Sequence, residues 1–330
     1  MIKRLLKQSR DYASLRKREP LFWLTLAYVL TLLYLFVIER VFWAPDTLFF
    51  LLFVLFLLLG QGKKFFLAFA PFIVLLLAYD SFRGFADQLA GRVNLWPMIH
   101  FDQWLGGGTI PTEHFQNVLL AVPFHHVFDL YFFTLYLAHF VVPVMVGIYF
   151  WKRRPSLYLP YVIALLGLSF AGFLTFLLFP AAPPWMASDM HLIPHIHKVS
   201  SELWVSAGVH NFPTVYQEID PNPVAAVPSL HAAYPLLVTL FVSRLHKWWL
   251  TGLFTFYTIS VWFGVVYMGE HYVFDVVFGV VYSVITFATI MLIRQHYGHH
   301  LAKARTKTGR QLREWRVAGW RKVRRALAPR

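Results

Sequence analysis

Two short stretches carry ionisable groups at the edges of long apolar runs. One is Val227-Pro228-Ser229-Leu230-His231; the other is Gly269-Glu270-His271-Tyr272-Val273-Phe274-Asp275. Ionisable groups at membrane depth are costly and usually have a task. His271 and Asp275 are four residues apart, so a helix presents them on one face within reach of each other. A carboxylate that accepts a hydrogen bond from one imidazole nitrogen fixes the tautomer and raises the basicity of the other nitrogen. His271 is then a competent nucleophile, and His231 can act as general acid toward a leaving oxygen. Ser229 and the first amides of the run behind it form a helix N-terminus, which binds phosphate through free N–H groups and the helix dipole. Pro228 suits the entry to that helix. Taken singly, a histidine beside an apolar span is more often a packing residue. The stronger signal is that both stretches fall on the same side of the chain's topology.

That topology follows from composition and charge. Hydrophobic residues make up 58% of the chain and charged ones 14%. This excludes disorder for most of its length and leaves too few polar residues to coat a soluble globule. Aromatic residues reach 18%, as suits rings at lipid interfaces. With no Cys, disulfides, thiolate metal sites and Cys nucleophiles are excluded. A membrane helix needs roughly 20 apolar residues. Candidate spans lie near 20–42, 46–60, 64–82, 127–151, 157–179, 229–244, 247–268 and 271–294, the second and sixth being short. The expected fold is therefore all-α, a polytopic helical membrane protein with about eight transmembrane helices. In that arrangement 26 of the 30 Lys and Arg residues face one side, and only Arg40, Arg83, Arg92 and Lys198 face the other. The positive-inside rule then places both termini in the cytoplasm and the loops 83–126 and 180–228 outside. Both histidine stretches come to the outer face, joined by one descending and one ascending span.

The net charge of +14 is thus read as membrane orientation and not as nucleic-acid binding. Three parts are expected: a basic cytoplasmic arm at 1–19, a transmembrane catalytic domain at 20–294, and a basic tail at 295–330. The arm lacks an apolar run, so the first span is expected to remain as an anchor. In the tail, Leu312, Trp315, Trp320, Val323 and Leu327 share a broad helical face, which predicts an amphipathic helix on an anionic membrane surface.

Pro228-Ser229-Leu230-His231 and His271-Tyr272-Val273-Phe274-Asp275 resemble the second and third signature motifs of the type 2 phosphatidic acid phosphatase superfamily. The resemblance implies a six-helix phosphatase-type core and metal-independent chemistry through a phosphohistidine, without a cofactor. Carried over, His271 is the nucleophile, Asp275 its orienter and His231 the general acid. Phe179-Pro180-Ala181-Ala182-Pro183-Pro184-Trp185 resembles a segment of fungal inositol phosphorylceramide synthases and their bacterial relatives. The Pro-Ser-Leu-His form of the second motif points the same way. So does Tyr79-Asp80-Ser81-Phe82-Arg83-Gly84. The resemblance spans roughly 75–290. It departs from the phosphatases where they carry Ser-Arg ahead of the nucleophile, since Gly264 and Val265 stand there, and their Lys-rich first motif has no clear counterpart. Arg83 is the substitute cation for phosphate, or else an interfacial anchor that snorkels to headgroups.

The resemblance implies an integral-membrane enzyme that moves a phospho-headgroup, inositol phosphate-like, from a phospholipid donor to a hydroxyl-bearing lipid or glycan. With water as acceptor the same site is a lipid phosphate phosphatase. A rival class is a transporter or scaffold whose His and Asp only stabilise packing. His191, His195 and His197 could suggest zinc, but they share a loop with Pro194 and lack an obvious acidic partner, so no metal site is expected. His139 is expected to hydrogen-bond another helix, or to line the headgroup pocket. Glu270 is read as an exposed span-end residue, and Glu218 and Asp220 as solvated loop residues. Pro183, Pro184 and Trp185 could shape a loop over the site, Trp185 being equally at home in an aromatic belt.

Overall fold

The regular structure is helical, as the apolar runs demand of a chain that must satisfy its backbone inside lipid. The structure is a computed structural model, and it describes residues 52–57, 60–70, 93–206 and 224–296. The predicted span 20–42, the arm, the tail, Arg83, Glu218 and Asp220 lie outside these residues. Of the predicted spans 46–60 and 64–82, helix is described at 52–57 and 62–70.

The later elements are α1 (Trp96–Leu105), α2 (Pro111–Leu119), α3 (His125–Arg153), α4 (Pro155–Leu178), α5 (Pro184–Asp189), α6 (Val199–Ser206), α7 (Leu230–Ser243), α8 (Trp248–Tyr267) and α9 (Val273–His296). The last five predicted spans thus appear as α3, α4, α7, α8 and α9. By length and composition α4, α8 and α9 can each cross a membrane. A fourth span arises if the two straight pieces of α3 are counted together. Those pieces, His125–His139 and Val141–Arg153, meet at 47°. Pro143 lies just past the bend. It has no N–H to give the carbonyl four residues back, at His139, and its ring crowds that turn.

Helices α7 and α8 form a hairpin, and α3 lies against both of them and against α4. At the end of the bundle that holds Arg153 and Arg244, Phe150, Tyr161 and Phe241 are fully buried. Tyr161 meets each of the other two rings edge-on at a centroid distance of 5.2 Å, the arrangement aromatic quadrupoles prefer. Its hydroxyl donates to the carbonyl of Pro143 at 2.8 Å, so no polar atom of that ring is stranded. At mid-bundle the hydroxyls of Thr239 and Thr258 lie 2.8 Å apart and tie α7 to α8. Such bonds matter where lipid removes the hydrophobic drive for helices to associate.

The opposite end is closed by α1, α2, α5 and α6. Met98, Ile99, Ile110, Ala181, Ala187 and Tyr272 form its apolar core. Two isolated parallel bridges, Asn94 to Ala181 and Ala181 to Ala225, stitch three distant segments together there. This cap holds α1 directly over the starts of α7 and α9.

Candidate active site

Ser229 begins the site, because it starts α7. Its side-chain oxygen accepts from the amide of Ala232 at 3.2 Å, an ordinary N-cap. Its own amide donates to the carbonyl of Asp275 at 3.0 Å. The entry to α7 is thereby pinned to the first turn of α9. The two helices could not approach so closely without Gly279: a Cβ there would lie 2.5 Å from the carbonyl oxygen of Ser229. Ser229 is fully buried, and capping accounts for its acceptor oxygen. Only its hydroxyl proton is left to turn toward an anion.

His271 sits on the turn between α8 and α9. Gly269 makes that turn with φ +76°, which suits glycine. The amides of Glu270 and His271 both donate to the carbonyl of Val265 at 3.1 Å. Nδ1 of His271 donates to Oδ2 of Asp275 across 3.2 Å. The same oxygen accepts the amide of Tyr272 at 2.9 Å. Asp275 is fully buried and His271 nearly so. With its Nδ1 proton committed to the carboxylate, His271 presents the lone pair of Nε2. That nitrogen lies 3.1 Å from Nδ1 of His231. Forty positions apart in sequence, the two imidazoles meet.

Two residues of α3 enclose His231. Tyr136 stacks on its ring at 4.3 Å and 15°, and the His139 ring lies 4.0 Å away. His139 is buried, and its Nδ1 donates to the carbonyl of Tyr136 within its own helix. The ring forms one wall of the histidine pair.

The turn that carries His271 is held from above. Gln116 donates to the carbonyls of His197 and Tyr267, both at 2.8 Å, and accepts the amide of His197 at 2.9 Å. The amide of Trp185 donates to the carbonyl of Gly269 at 3.2 Å, and Lys198 Nζ lies 3.8 Å from the centre of the Trp185 ring. The segment Pro183-Pro184-Trp185 thus lies against the turn that carries His271. Glu270 departs from expectation: it is buried and accepts the hydroxyl of Ser200. The turn at Gly269 folds it under α6 and away from solvent.

Asp102 went unnoticed in the sequence. It is fully buried on α1, and its two carboxylate oxygens accept the amides of Val273 and Phe274 at 2.9 and 3.0 Å. Burial pushes its carboxyl up to about 7, against the downward pull of those two amides and with a further upward push from Asp275. Its sequence signal is faint, an isolated acid in Trp-Pro-Met-Ile-His-Phe-Asp-Gln-Trp-Leu.

The three loop histidines do not converge as a ligand set. His197 pairs with Glu202 at 2.8 Å, its ring 4.7 Å from that of His195, and His191 occupies a positive-φ turn. Among the described residues, metal-ligand spacing occurs at His125, His126 and Asp129, whose ligand atoms lie within 4.8 Å of one another. Asp129 already accepts from His125 and from the hydroxyl of Tyr267. That gives both its oxygens partners without an ion.

The departure from the phosphatase pattern has a structural reason. Val265, at the position of the phosphatase Arg, is fully buried with Val261, Val266 and Tyr267. A Cβ on Gly264, at the position of the Ser, would lie 2.8 Å from the Phe132 ring. Apolar packing fills the place where the phosphatases carry Ser-Arg.

The model of the PAP2 superfamily matches residues 96–289. A relative from Bacteroides thetaiotaomicron, described as phosphoinositol dihydroceramide synthase, is 29% identical over 233 residues, covering 66% of this chain and 74% of that protein. No solved structure matches. The match begins at α1, runs through both histidine stretches and takes in more than half of the sequence, which makes this chain a member of the PAP2 superfamily.

Proposed function

We propose that this integral membrane protein transfers a phospho-headgroup, inositol phosphate-like, from a phospholipid donor to a hydroxyl acceptor through a phosphohistidine at His271. The observation that carries the reading is the 3.1 Å contact between Nε2 of His271 and Nδ1 of His231, with Asp275 behind the first ring. In the first step Nε2 attacks phosphorus. A P–N bond forms, the P–O bond to the diacylglycerol oxygen breaks, and His231 gives that oxygen its proton. In the second step His231 removes the proton of the acceptor hydroxyl. The new P–O bond forms as the P–N bond breaks, which returns both imidazoles to their starting state. Asp275 holds the tautomer throughout. His231 Nδ1 must leave the lone pair of His271 when phosphorus arrives, and the Tyr136 and His139 rings define where it can go.

The acceptor decides between transfer and hydrolysis. Transfer is favoured because the relative is described as a phosphoinositol dihydroceramide synthase, and because the phosphatase Ser-Arg pair is replaced by apolar core. An inositol phospholipid is therefore the first donor to offer, and a long-chain hydroxyl lipid the first acceptor. Arg83, outside the described residues, is proposed as a cation for the phosphate, with the hydroxyl of Ser229 as a further donor.

The same proposal includes eight spans, cytoplasmic termini and a site on the extracytoplasmic side, flanked by the basic arm at 1–19 and the amphipathic tail at 295–330. Fourteen residues of α7 give about 21 Å of helix, shorter than a hydrocarbon core of roughly 30 Å.

The test is incubation of the purified protein with labelled phospholipids, with and without hydroxyl lipids and glycans. A new phosphodiester that requires both donor and acceptor supports transfer. Release of the headgroup phosphate in water alone, whatever acceptor is present, would make the enzyme a phosphatase. Silence on every lipid, unchanged by His271→Ala, would favour a transporter or scaffold.

A further inference from the structure

Helix α1 contributes nothing to the two histidine motifs, yet it touches the lead-in to both. At its far end Asp102 takes the amides of Val273 and Phe274. At its near end Asn94 donates to Pro180 from both its backbone and side-chain nitrogens, at 2.8 and 3.0 Å, and accepts the amide of Ala182 at 3.1 Å. Ala181, between those partners, donates to Val224 and accepts from Ala226. The segment Val224–Ala226 runs straight into Pro228, Ser229 and His231. One short helix, with Met98, Ile99 and Asp102 fully buried along it, spans the distance between the two half-sites.

We propose that Asp102 is a positioning residue for the histidine pair: through α1 it fixes the register of the His271–Asp275 turn against the segment that delivers His231. The inference rests on the phosphotransfer reading. Three successive amides at the start of α9 are taken by carboxylates, Tyr272 by Asp275 and the next two by Asp102. Above about pH 7, where Asp102 is ionised, the helix dipole adds to the bonds themselves. His271 and Asp275 stand on either side of the clamped pair, so slack in Val273 and Phe274 moves the imidazole relative to its orienting carboxylate. Because these amides are engaged, the N-terminus of α9 is not where a lipid phosphate binds. Loss of the clamp should therefore change the reaction step and leave donor binding largely alone.

Asparagine at this position can accept one amide but turns an N–H toward the other, and alanine accepts neither. A loss of about 1 Å in alignment is worth on the order of 100-fold in rate. Asp102→Asn should lower kcat per folded enzyme by about 10-fold and Asp102→Ala by about 100-fold, each with KM for the phospholipid little changed. Two readouts do not depend on turnover. Hydrogen exchange of the amides of Val273 and Phe274 should accelerate in the order Asp, Asn, Ala, and the Nδ1–H signal of His271 in ¹⁵N-histidine spectra should shift or broaden in both variants. If Asp102→Ala does not fold, the Asn variant alone decides. Unchanged exchange and an unmoved His271 signal would overturn the clamp. Faster exchange with kcat unchanged would overturn its positioning role. Were the wild type inactive on every phospholipid, the transfer reading would fail, while the exchange and imidazole signals would still uphold or overturn Asp102 as the residue that positions His271.

Discussion

Nδ1 of His231 and Nε2 of His271 lie 3.1 Å apart, and the Nδ1 of His271 is 3.2 Å from Asp275. The three groups form a directed line from carboxylate to imidazole to imidazole. The order fixes which nitrogen of His271 is free to react. It also makes the Asp275 carboxylate replaceable in shape but not in function. Asp275→Asn keeps the volume, yet its amide N–H favours the opposite tautomer of His271. Transfer should fall by about four orders of magnitude, as for other orienting carboxylates behind a catalytic imidazole. His271→Gln should abolish the acid-labile, base-stable phosphohistidine label entirely. Denaturing gels of protein quenched during turnover, with the label on the donor phosphate, check both. Label that persists in His271→Gln would move the nucleophile elsewhere.

The missing Ser-Arg pair yields a prediction opposite to what motif restoration would suggest. Gly264→Ser places a side chain where even a Cβ meets the Phe132 ring at 2.8 Å. Val265→Arg buries a cation among Val261, Val266 and Tyr267. Overpacking costs typically 1–3 kcal/mol, and an unpaired buried charge costs several more. The double variant should therefore lose folded protein, seen as a lower melting temperature in detergent by size-exclusion chromatography after heating. It should gain no phosphatase activity. A stable double variant that hydrolyses lipid phosphates would show that the pocket admits the phosphatase cation after all.

Asp102 gives the protein a pH signature. Burial raises its carboxyl from the ordinary 3.8 to about 7. Between those values the folded chain holds a proton that the unfolded chain has released. Stability therefore falls as pH rises through that window and levels off above about 7. The charged groups facing it include Asp275, which pushes in the same direction. Asp102→Asn removes this titration, so unfolding curves taken in detergent across the window should show a shallower decline than the wild type. Equal slopes would assign the decline to other carboxylates.

The sequence made some of this geometry legible and hid the rest for identifiable reasons. Helices α3, α4, α7, α8 and α9 were readable as long apolar runs, of which α4, α8 and α9 are long enough to cross a membrane and the two pieces of α3 together make a fourth; the bend of α3 near Pro143 was not read from the sequence. His271 and Asp275 were readable because a helix converts a spacing of four into contact. His231 joined them because one hairpin returns the chain to the same end of the bundle. Asp102 was not readable, since its partners lie 171 and 172 positions away and the bonds are to backbone amides that carry no side-chain signature. Glu270 looked exposed because span ends usually are, and only the turn at Gly269 folds it beneath Ser200. Ser229 was read at a helix N-terminus, and there it caps α7, its oxygen accepting the amide of Ala232.

Gln116 offers the sharpest test of whether the segment over the site matters to chemistry. Its side chain makes three hydrogen bonds, two to His197 and one to the carbonyl of Tyr267. It thereby joins the 190–199 loop to the end of α8, four residues before His271. Gln116→Leu keeps the approximate volume but leaves the buried carbonyl of Tyr267 and the half-buried amide and carbonyl of His197 without this partner. Each stranded group costs about 1–3 kcal/mol, and the chain can recover part of that by letting the loop rise toward water. The expected outcome is a loop that opens locally while the bundle stays folded. Limited proteolysis should cut between α5 and α6 sooner than in the wild type, with little change in the melting temperature. If this segment excludes water from the phosphohistidine, the variant should also release more headgroup phosphate per transfer event. Faster cleavage with an unchanged ratio of transfer to hydrolysis would confine Gln116 to holding the loop, and the exclusion of water would have to come from another element.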